Sequence, residues 1–407
     1  MLILKLAFRN LLRHKSRSLL CGLTIMGAFI LFSISLGFSD GSYGSLIRML
    51  TDTQSGHVQV HRQGYLERPS LFRHFQLSQE IKQQLNDHPQ VQAWTTRIFS
   101  SALVFGEKKS SIARLMAVDP DKESQVTRIR EKIKAGKFLS DATDVYNPIL
   151  IGSHLQKLIQ VKVGEEVAFI GQGADGSVAN DLFTVVGIVG KGSDDAESRR
   201  VYLPLKNAQE FLSLGDRIHE VTIRLDHFNL ARKEAESLRN ILNNESLDVQ
   251  PWQVVEEQFY KAMMADQQGN WISQGVIMLI VGLVILITVL MNAFERRHEF
   301  GVLLALGTPP GFIFRSIVLE MTLLSGLSVL VGSFFAYGLN WYYSVDGIKL
   351  ETPLEYGGVV FNQMLSENSM SVLLIPAIFS ICVTFLVALY PAIKSARAVP
   401  IEAIREN

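Results

Sequence analysis

Four long apolar runs punctuate an otherwise mixed chain: residues 19–38, 271–294, 313–341 and 372–393. Each is about as long as the ~20 residues a helix needs to cross the hydrocarbon core of a bilayer, so each predicts a membrane span. Ahead of the first run, Lys5, Arg9, Arg13 and Arg17 recur every four residues, with Ile3, Leu4, Ala7, Phe8 and Leu11 on the opposite side. That pattern predicts an amphipathic helix over residues 1–18, lying on an anionic membrane surface. The alternative, the charged start of a cleaved signal peptide, is disfavoured because the run that follows exceeds a typical signal core.

Residues 39–270 alternate polar and apolar positions and predict one large soluble insertion between the first and second spans. Strand periodicity marks 56–61, 94–105 with 110–118 about the turn Gly106-Glu107-Lys108-Lys109, and 165–171 with 181–190 about Gly173-Ala174-Asp175-Gly176. Helical patterns cover 77–88, 121–134, 152–160, 204–213 and 229–243, with strands at 218–226 and 247–250. The mixture predicts an α+β domain of two lobes, about 50–118 plus 218–255, and about 119–217. A helix begins near Pro251 and leads into the second span. Residues 295–312 form a short amphipathic helix, 342–371 a loop and 394–407 a tail.

Charge then orients the spans. Lys and Arg crowd residues 1–18, 295–315 and 392–407, whereas the loop 342–371 holds Lys349 against Asp346, Glu351, Glu355 and Glu367. Short basic flanks stay in the cytoplasm, so both termini and the 295–312 helix are inside and the large domain is outside, in the periplasm of a bacterium with two membranes. The net charge of the 407 residues is zero, and no basic and aromatic cluster suits nucleic acid. Cys21 and Cys382 both fall in apolar runs, so the soluble part has no disulfide framework.

Candidate chemistry is sparse. Gly187-Ile188-Val189-Gly190-Lys191-Gly192-Ser193 lacks the glycine spacing of a phosphate-cradling loop and the Ser or Thr after lysine, so ATP is expected on another chain. His57 and His61 share one side of a strand without further ligands and read as edge-strand surface residues. Asp194, Asp195 and Glu197 read as a solvated acidic loop rather than a calcium site. Catalytic residues, metals and cofactors are therefore expected to be absent from this chain. Inside the spans, Glu320 is a costly ionisable group that would snorkel, or pair with Arg315 or a basic residue of the first helix, with a role in transport the less favoured alternative. Ser328, Gly332 and Ala336 share one helix face, for packing within the chain or against a second membrane chain. Pro376 would kink the fourth span.

The residues between the second and third spans read Glu295-Arg296-Arg297-His298-Glu299-Phe300-Gly301-Val302-Leu303-Leu304-Ala305-Leu306-Gly307-Thr308-Pro309-Pro310-Gly311. This string resembles the cytoplasmic loop of the FtsX-like permeases of ABC transporters, the MacB and LolC/LolE type. The family pattern is matched at Glu295, Arg296, Glu299, Gly301, Ala305 and Gly307, with Phe300 in place of Ile. The resemblance extends to Leu319-Glu320 and to the tail Tyr390-Pro391-Ala392, Ser395-Ala396-Arg397, Pro400, Glu402-Ala403 and Arg405. Gly164-Glu165-Glu166-Val167, Phe183–Gly190 and Gly56-His57-Val58-Gln59-Val60 resemble the family's periplasmic strands, in a manner closer to the lipoprotein-release permeases.

The resemblance implies an integral membrane α-helical protein of the inner membrane, with four transmembrane helices and a two-lobed α+β periplasmic domain after the first. It implies a dimer with itself or a homologue, two ATPase subunits carrying ATP and Mg, and a periplasmic carrier or adaptor. Docking of the ATPase would fall on Glu295, Arg296, Arg297, Glu299, Phe300, Gly301, Leu304, Ala305 and Gly307. ATP-driven closure would pull on that helix, and the rigid second span would pass the motion outward. The expected cargo is a lipoprotein or other amphiphile. Efflux through an adaptor and outer-membrane channel, and signalling to a cell-wall hydrolase, are the alternatives.

Overall fold

The computed structural model describes residues 9, 15–107, 109–190, 196–295, 297–356 and 359–397, without the side chains of 17, 196, 197, 297 and 351–362. The basic helix expected over 1–18, Asp194 and Asp195, and the tail beyond residue 397 thus fall largely or wholly outside the described residues. The chain divides into two compact units, one of residues 1–45, 264–352 and 362–407, the other of 46–263 with 353–361.

In chain order the helices are α1 (Lys15–Leu50), α2 (Gln79–Asp87), α3 (Pro120–Val126), α4 (Ser153–Ile159), α5 (Leu205–Phe211), α6 (Ala231–Leu242), α7 (Trp252–Val255), α8 (Glu257–Glu295), α9 (Arg297–Ala305), α10 (Pro310–Val345) and α11 (Met370–Ala396). The strands are β1 (Val58–Arg62), β2 (Phe75–Gln76), β3 (Val91–Phe105), β4 (Ser110–Val118), β5 (Ile133–Gly136), β6 (Pro148–Gly152), β7 (Glu166–Gln172), β8 (Val178–Val189), β9 (Arg200–Pro204), β10 (Arg217–Ile218), β11 (Glu220–Leu225), β12 (Leu247–Pro251), β13 (Ile348–Tyr356) and β14 (Val359–Met364).

Among the described residues four helices are long and apolar enough to cross a membrane: Ser18–Ser55, Glu257–Glu295, Pro310–Val345 and Met370–Ala396. The first and second run well past the hydropathic limits at residues 38 and 271, because helical hydrogen bonding does not stop where apolar character does. Within the membrane unit α1 is central. Its Ile25, Ala28 and Phe32 pack on Val281, Ile285 and Val289 of α8, Met321 of α10 and Ala388 of α11. Phe29 packs with Val329 and Ala336. A Cβ added at Gly332 would lie 2.9 Å from the Phe29 ring, and Gly22 faces Ser328, so the small-residue face of α10 receives α1 of the same chain. Small residues let helix backbones approach where lipid offers no hydrophobic drive.

The soluble unit is built on one mixed sheet of ten strands. At one end β12, β1, β11 and the first half of β3 run antiparallel. At the other, β3 pairs with β4, β4 with β9, β9 with β6, β6 with β8, β8 with β7, and β7 returns to the last residues of β3. Six strands therefore close a ring, and β5 extends it beside β8. Long β3 belongs to both ends, so the two expected lobes share one hydrogen-bonded network. The core beside the ring holds Met116, Val118, Ile129, Phe138, Leu139, Leu150, Val186 and Tyr202. The helix β11 leads into, α6, returns to β12 on the far side of β1, giving a split β-α-β unit.

Two local expectations are corrected. The helix expected over 121–134 stops at Val126: Asp119 caps it and Pro120 starts it, but a 3-10 turn and β5 follow. Pairing of β5 with β8 outweighs local helical preference. The expected loop 342–371 contains the hairpin β13–β14.

Candidate functional site

Helix α9 is short and sharply ended. The amide of Gly307 donates to the Leu304 carbonyl and that of Thr308 to the Leu303 carbonyl, and Gly307 takes a left-handed φ of 87°. This is a Schellman termination, which a residue with a Cβ adopts only under strain. Pro309 then precedes Pro310 at the first turn of α10, where a missing amide costs nothing. Phe300, 5% exposed, packs on Ile313 and Ile317 of α10 and Ala392 of α11, with Leu304 beside it. Gly301 is buried as well.

The opposite side of α9 is open. Val302, Leu303 and Leu306 are 39%, 41% and 77% exposed, and His298 and Ala305 are exposed beside them. Glu295 ends α8 exposed and Glu299 is half-buried. Arg296 and the side chain of Arg297 lie outside the described residues. The sequence-derived set thus splits: Phe300, Gly301 and Leu304 seat the helix, Gly307 ends it, and Glu295, Glu299 and Ala305 remain accessible. Glu320 is buried at 3% on α10, and Ala336 is fully buried beside Gly332 and Ser328.

In the soluble unit a charge network appears that the sequence reading passed over. The Arg97 guanidinium, 2% exposed, donates from Nη2 and Nε to the Glu123 carboxylate at 2.7 and 3.1 Å. Its Nη1 donates to Glu220 Oε1 at 3.0 Å and to the Gln54 carbonyl at 2.6 Å. Thr127 donates to Glu123 at 2.8 Å, and Thr222 donates to Glu220. His61 Nε2 lies 3.1 Å from Glu220 Oε2 and serves as its donor, leaving Nδ1 buried without a partner. Tyr65 stacks between the His61 and His219 rings at 5.1 and 5.7 Å.

Burial acts to raise the Glu220 carboxyl, yet the His61 hydrogen bond, the Arg97 charge and Thr222 outweigh it and pull its pKa down to about 2. Burial alone would lower Arg97, but Glu123 and Glu220 raise it further above its ordinary value. Burial, with Arg224 and His227 nearby, lowers His57 to about 4. His57 and His61 are 5% and 1% exposed. The expectation of surface histidines on an edge strand is therefore wrong: β1 lies between β11 and β12. The alternating pattern reports a strand, while its neighbours depend on residues more than 150 positions away. No group of three or more metal-ligating side chains occurs among the described residues.

Residues 18–240 match the MacB-like periplasmic core domain and residues 271–400 the FtsX-like permease C-terminal family. The chain belongs to the ABC transporter permeases of the FtsX/MacB type. Two curated relatives are the lipoprotein-releasing system transmembrane protein LolC of Xylella fastidiosa strain Temecula1, 23% identical over 334 residues and 78% of each chain, and that of Neisseria meningitidis serogroup B, 20% identical over 305 residues and 72% of each chain. Among solved structures, the periplasmic region of MacB from Actinobacillus actinomycetemcomitans is 19% identical, with a TM-score of 0.37 over 52% of this chain and 94% of that one. The extracellular domain of the noncanonic ABC-type transporter YknZ from Gram-positive bacteria is 12% identical, with a TM-score of 0.35 over 48% and 99%. The protein is a multi-pass inner-membrane permease subunit of an ABC transporter, with an α+β periplasmic domain between its first two spans.

Proposed function

We propose that this permease moves lipoproteins or other amphiphiles from the inner membrane to a periplasmic acceptor, driven by two ATPase chains that carry ATP and Mg. It works in a dimer with itself or a homologous permease. The observation that carries the ATPase half of this reading is α9: Phe300 fixes it on α10 and α11, while Val302, Leu303 and Leu306 offer an apolar face edged by Glu295 and Glu299. Exposed apolar anchors within a polar rim are the usual form of a docking surface. The scarcity of charge in the spans supports transmission of motion over a polar tunnel for solute. The names of the curated relatives support lipoprotein cargo.

The test is co-purification from native membranes in mild detergent, for the parent chain and Leu303→Asp. The parent is expected to retain an ATPase, a second permease and a lipid-binding carrier. Burying a charge at the docking face is expected to reduce retained ATPase about tenfold while the second permease stays bound. An adaptor with an outer-membrane channel in place of the carrier would replace this reading with efflux, and a cell-wall hydrolase with signalling. A stable complex holding no ATPase would refute it.

A further inference from the structure

Helix α1 leaves the membrane unit and ends in one π-helical turn, Thr51–Ser55, inside the soluble unit. The last carbonyls of a helix have no partner within it and carry the negative end of its dipole. Here the soluble unit answers them with its own donors. The Arg128 amide donates to the Asp52 carbonyl at 2.8 Å, Arg97 Nη1 to that of Gln54 at 2.6 Å, and Gln59 Nε2 to that of Ser55 at 2.7 Å. The Arg128 side chain adds an ion pair to the Asp52 carboxylate at 3.3 Å. Gly56 closes the turn onto the Thr51 carbonyl with φ at 63°, where an added Cβ would meet the Thr222 methyl.

The return connection is made differently. Between α7 and α8 the helix breaks at Glu256, whose φ of −104° and ψ of 49° are not helical. The first turns of α8 are held by side chains: Phe259 and Met263 are buried, the Tyr260 ring meets Trp252 edge-on at 5.7 Å, and its hydroxyl accepts from Arg232 at 2.9 Å. The carbonyls of one connection thus receive donors from β3, β1 and the Arg128 turn, while the other carries a non-helical residue and is held by side-chain packing.

We propose that Arg97 is a positioning residue that clamps the carboxyl end of the first span to the soluble domain, so that motion enters the domain through the first span, with Glu256 the pivot of the second. The proposal rests on the permease reading above and offers the first span in place of the second as the transmitting rod. Glu123 and Glu220 fix the guanidinium from two sides, which leaves its Nη1 aimed at the Gln54 carbonyl. A lysine at this position keeps the charge but lacks the planar fork that reaches three acceptors at once.

The experiment is amide hydrogen exchange on the full chain with its co-purified ATPase in lipid nanodiscs, with and without ATP. Arg97→Lys is expected to speed exchange at residues 51–57 about tenfold or more, with strands β6 and β9 unchanged. In the parent, ATP is expected to alter exchange in the soluble domain; in Arg97→Lys that response is lost while ATP turnover persists. Tyr260→Phe, at the other connection, keeps the response. Glu123→Gln is the milder variant, with a smaller change in the same residues, and decides the matter if Arg97→Lys does not fold. Unchanged exchange at 51–57, or an intact ATP response despite faster local exchange, would overturn the clamp. Absence of a bound ATPase, or of any ATP response in the parent, would overturn the permease reading instead and leave the local exchange to decide whether Arg97 holds the helix end.

Discussion

The two units differ in how they join buried polar groups, although each buries a carboxyl. In the soluble unit, charges are buried together: Arg97 between Glu123 and Glu220, with His61 as a further donor. In the membrane unit many interhelical hydrogen bonds are made by uncharged groups, although Tyr43 also donates to the Asp266 carboxylate at 2.7 Å. Asn340 donates to Ser33 at 3.2 Å and accepts from Ser366 at 2.8 Å, Ser33 donates to the Val372 carbonyl, and Gln274 donates to Ser35. Thr384 donates to Ser325 at 3.2 Å, and Asn292 to the Cys21 sulfur at 3.3 Å. A helix satisfies its own backbone, so in lipid a few amides and hydroxyls suffice to set the register of neighbours. A sheet domain must organise distant segments, and a buried guanidinium with several acceptors does that, provided every charge is matched.

Breaking one member of the charged network should therefore cost most. Arg97→Met leaves two carboxylates buried without their cation, and a loss of about 3–5 kcal/mol is expected in thermal unfolding of the full chain followed by Trp94 and Trp252 fluorescence. Retention of parental stability would mean that Glu123 and Glu220 do not depend on Arg97 as their partner.

Acid should separate the units next. His57 has a folded pKa of about 4 against 6.5, so its contribution is complete above pH 6.5 and is lost as the pH falls toward 4, about 3 kcal/mol in all. Glu220, at about 2 against 4.5, contributes fully above pH 4.5 and loses that contribution as the pH falls toward 2. Unfolding of the soluble unit is thus expected to become easier from pH 6.5 downward, while the Asn and Ser pairs of the membrane unit do not titrate. Trypsin cleavage at pH 7 and 5, mapped by mass spectrometry, checks which unit opens first.

Steric substitutions in the membrane unit come third. A Cβ at Gly37 would fall within the radius of Asn340 Oδ1 and Ser366 Oγ, so Gly37→Val is expected to cost about 1–3 kcal/mol in detergent unfolding. An unchanged midpoint would show that α1 can shift freely past α10. The smallest effect belongs to one hydroxyl between spans: Ser35→Ala, which removes the hydroxyl partner of Gln274 and leaves it the Ser35 carbonyl, is expected to cost about 0.6 kcal/mol.

Much of this architecture was legible in the sequence because it depends on local quantities. Hydropathy over a window of residues marks four spans, basic flanks orient them, and Gly307 with its prolines ends α9, though the pattern does not tell buried Phe300 from Leu306, which is 77% exposed. Turn residues at 106–109 and 173–176 placed two hairpins for the same reason. The cap Asp119-Pro120 is equally local, and it marks the start of α3 without saying where that helix stops.

Only tertiary structure decided what depends on partners far along the chain. Closure of six strands into a ring requires β7 to return to β3, and no period in either strand announces it. The centrality of β1 turned His57 and His61 from expected surface residues into buried ones, and the facing of Gly332 to Phe29 turned a small-residue stripe into an internal seam. Arg97, Glu123 and Glu220 are ordinary charges in the sequence, separated by 26 and 123 positions from one another's partners. They become a clamp on a helix end because a guanidinium recognises acceptors by direction and distance, which the order of residues along a chain does not record.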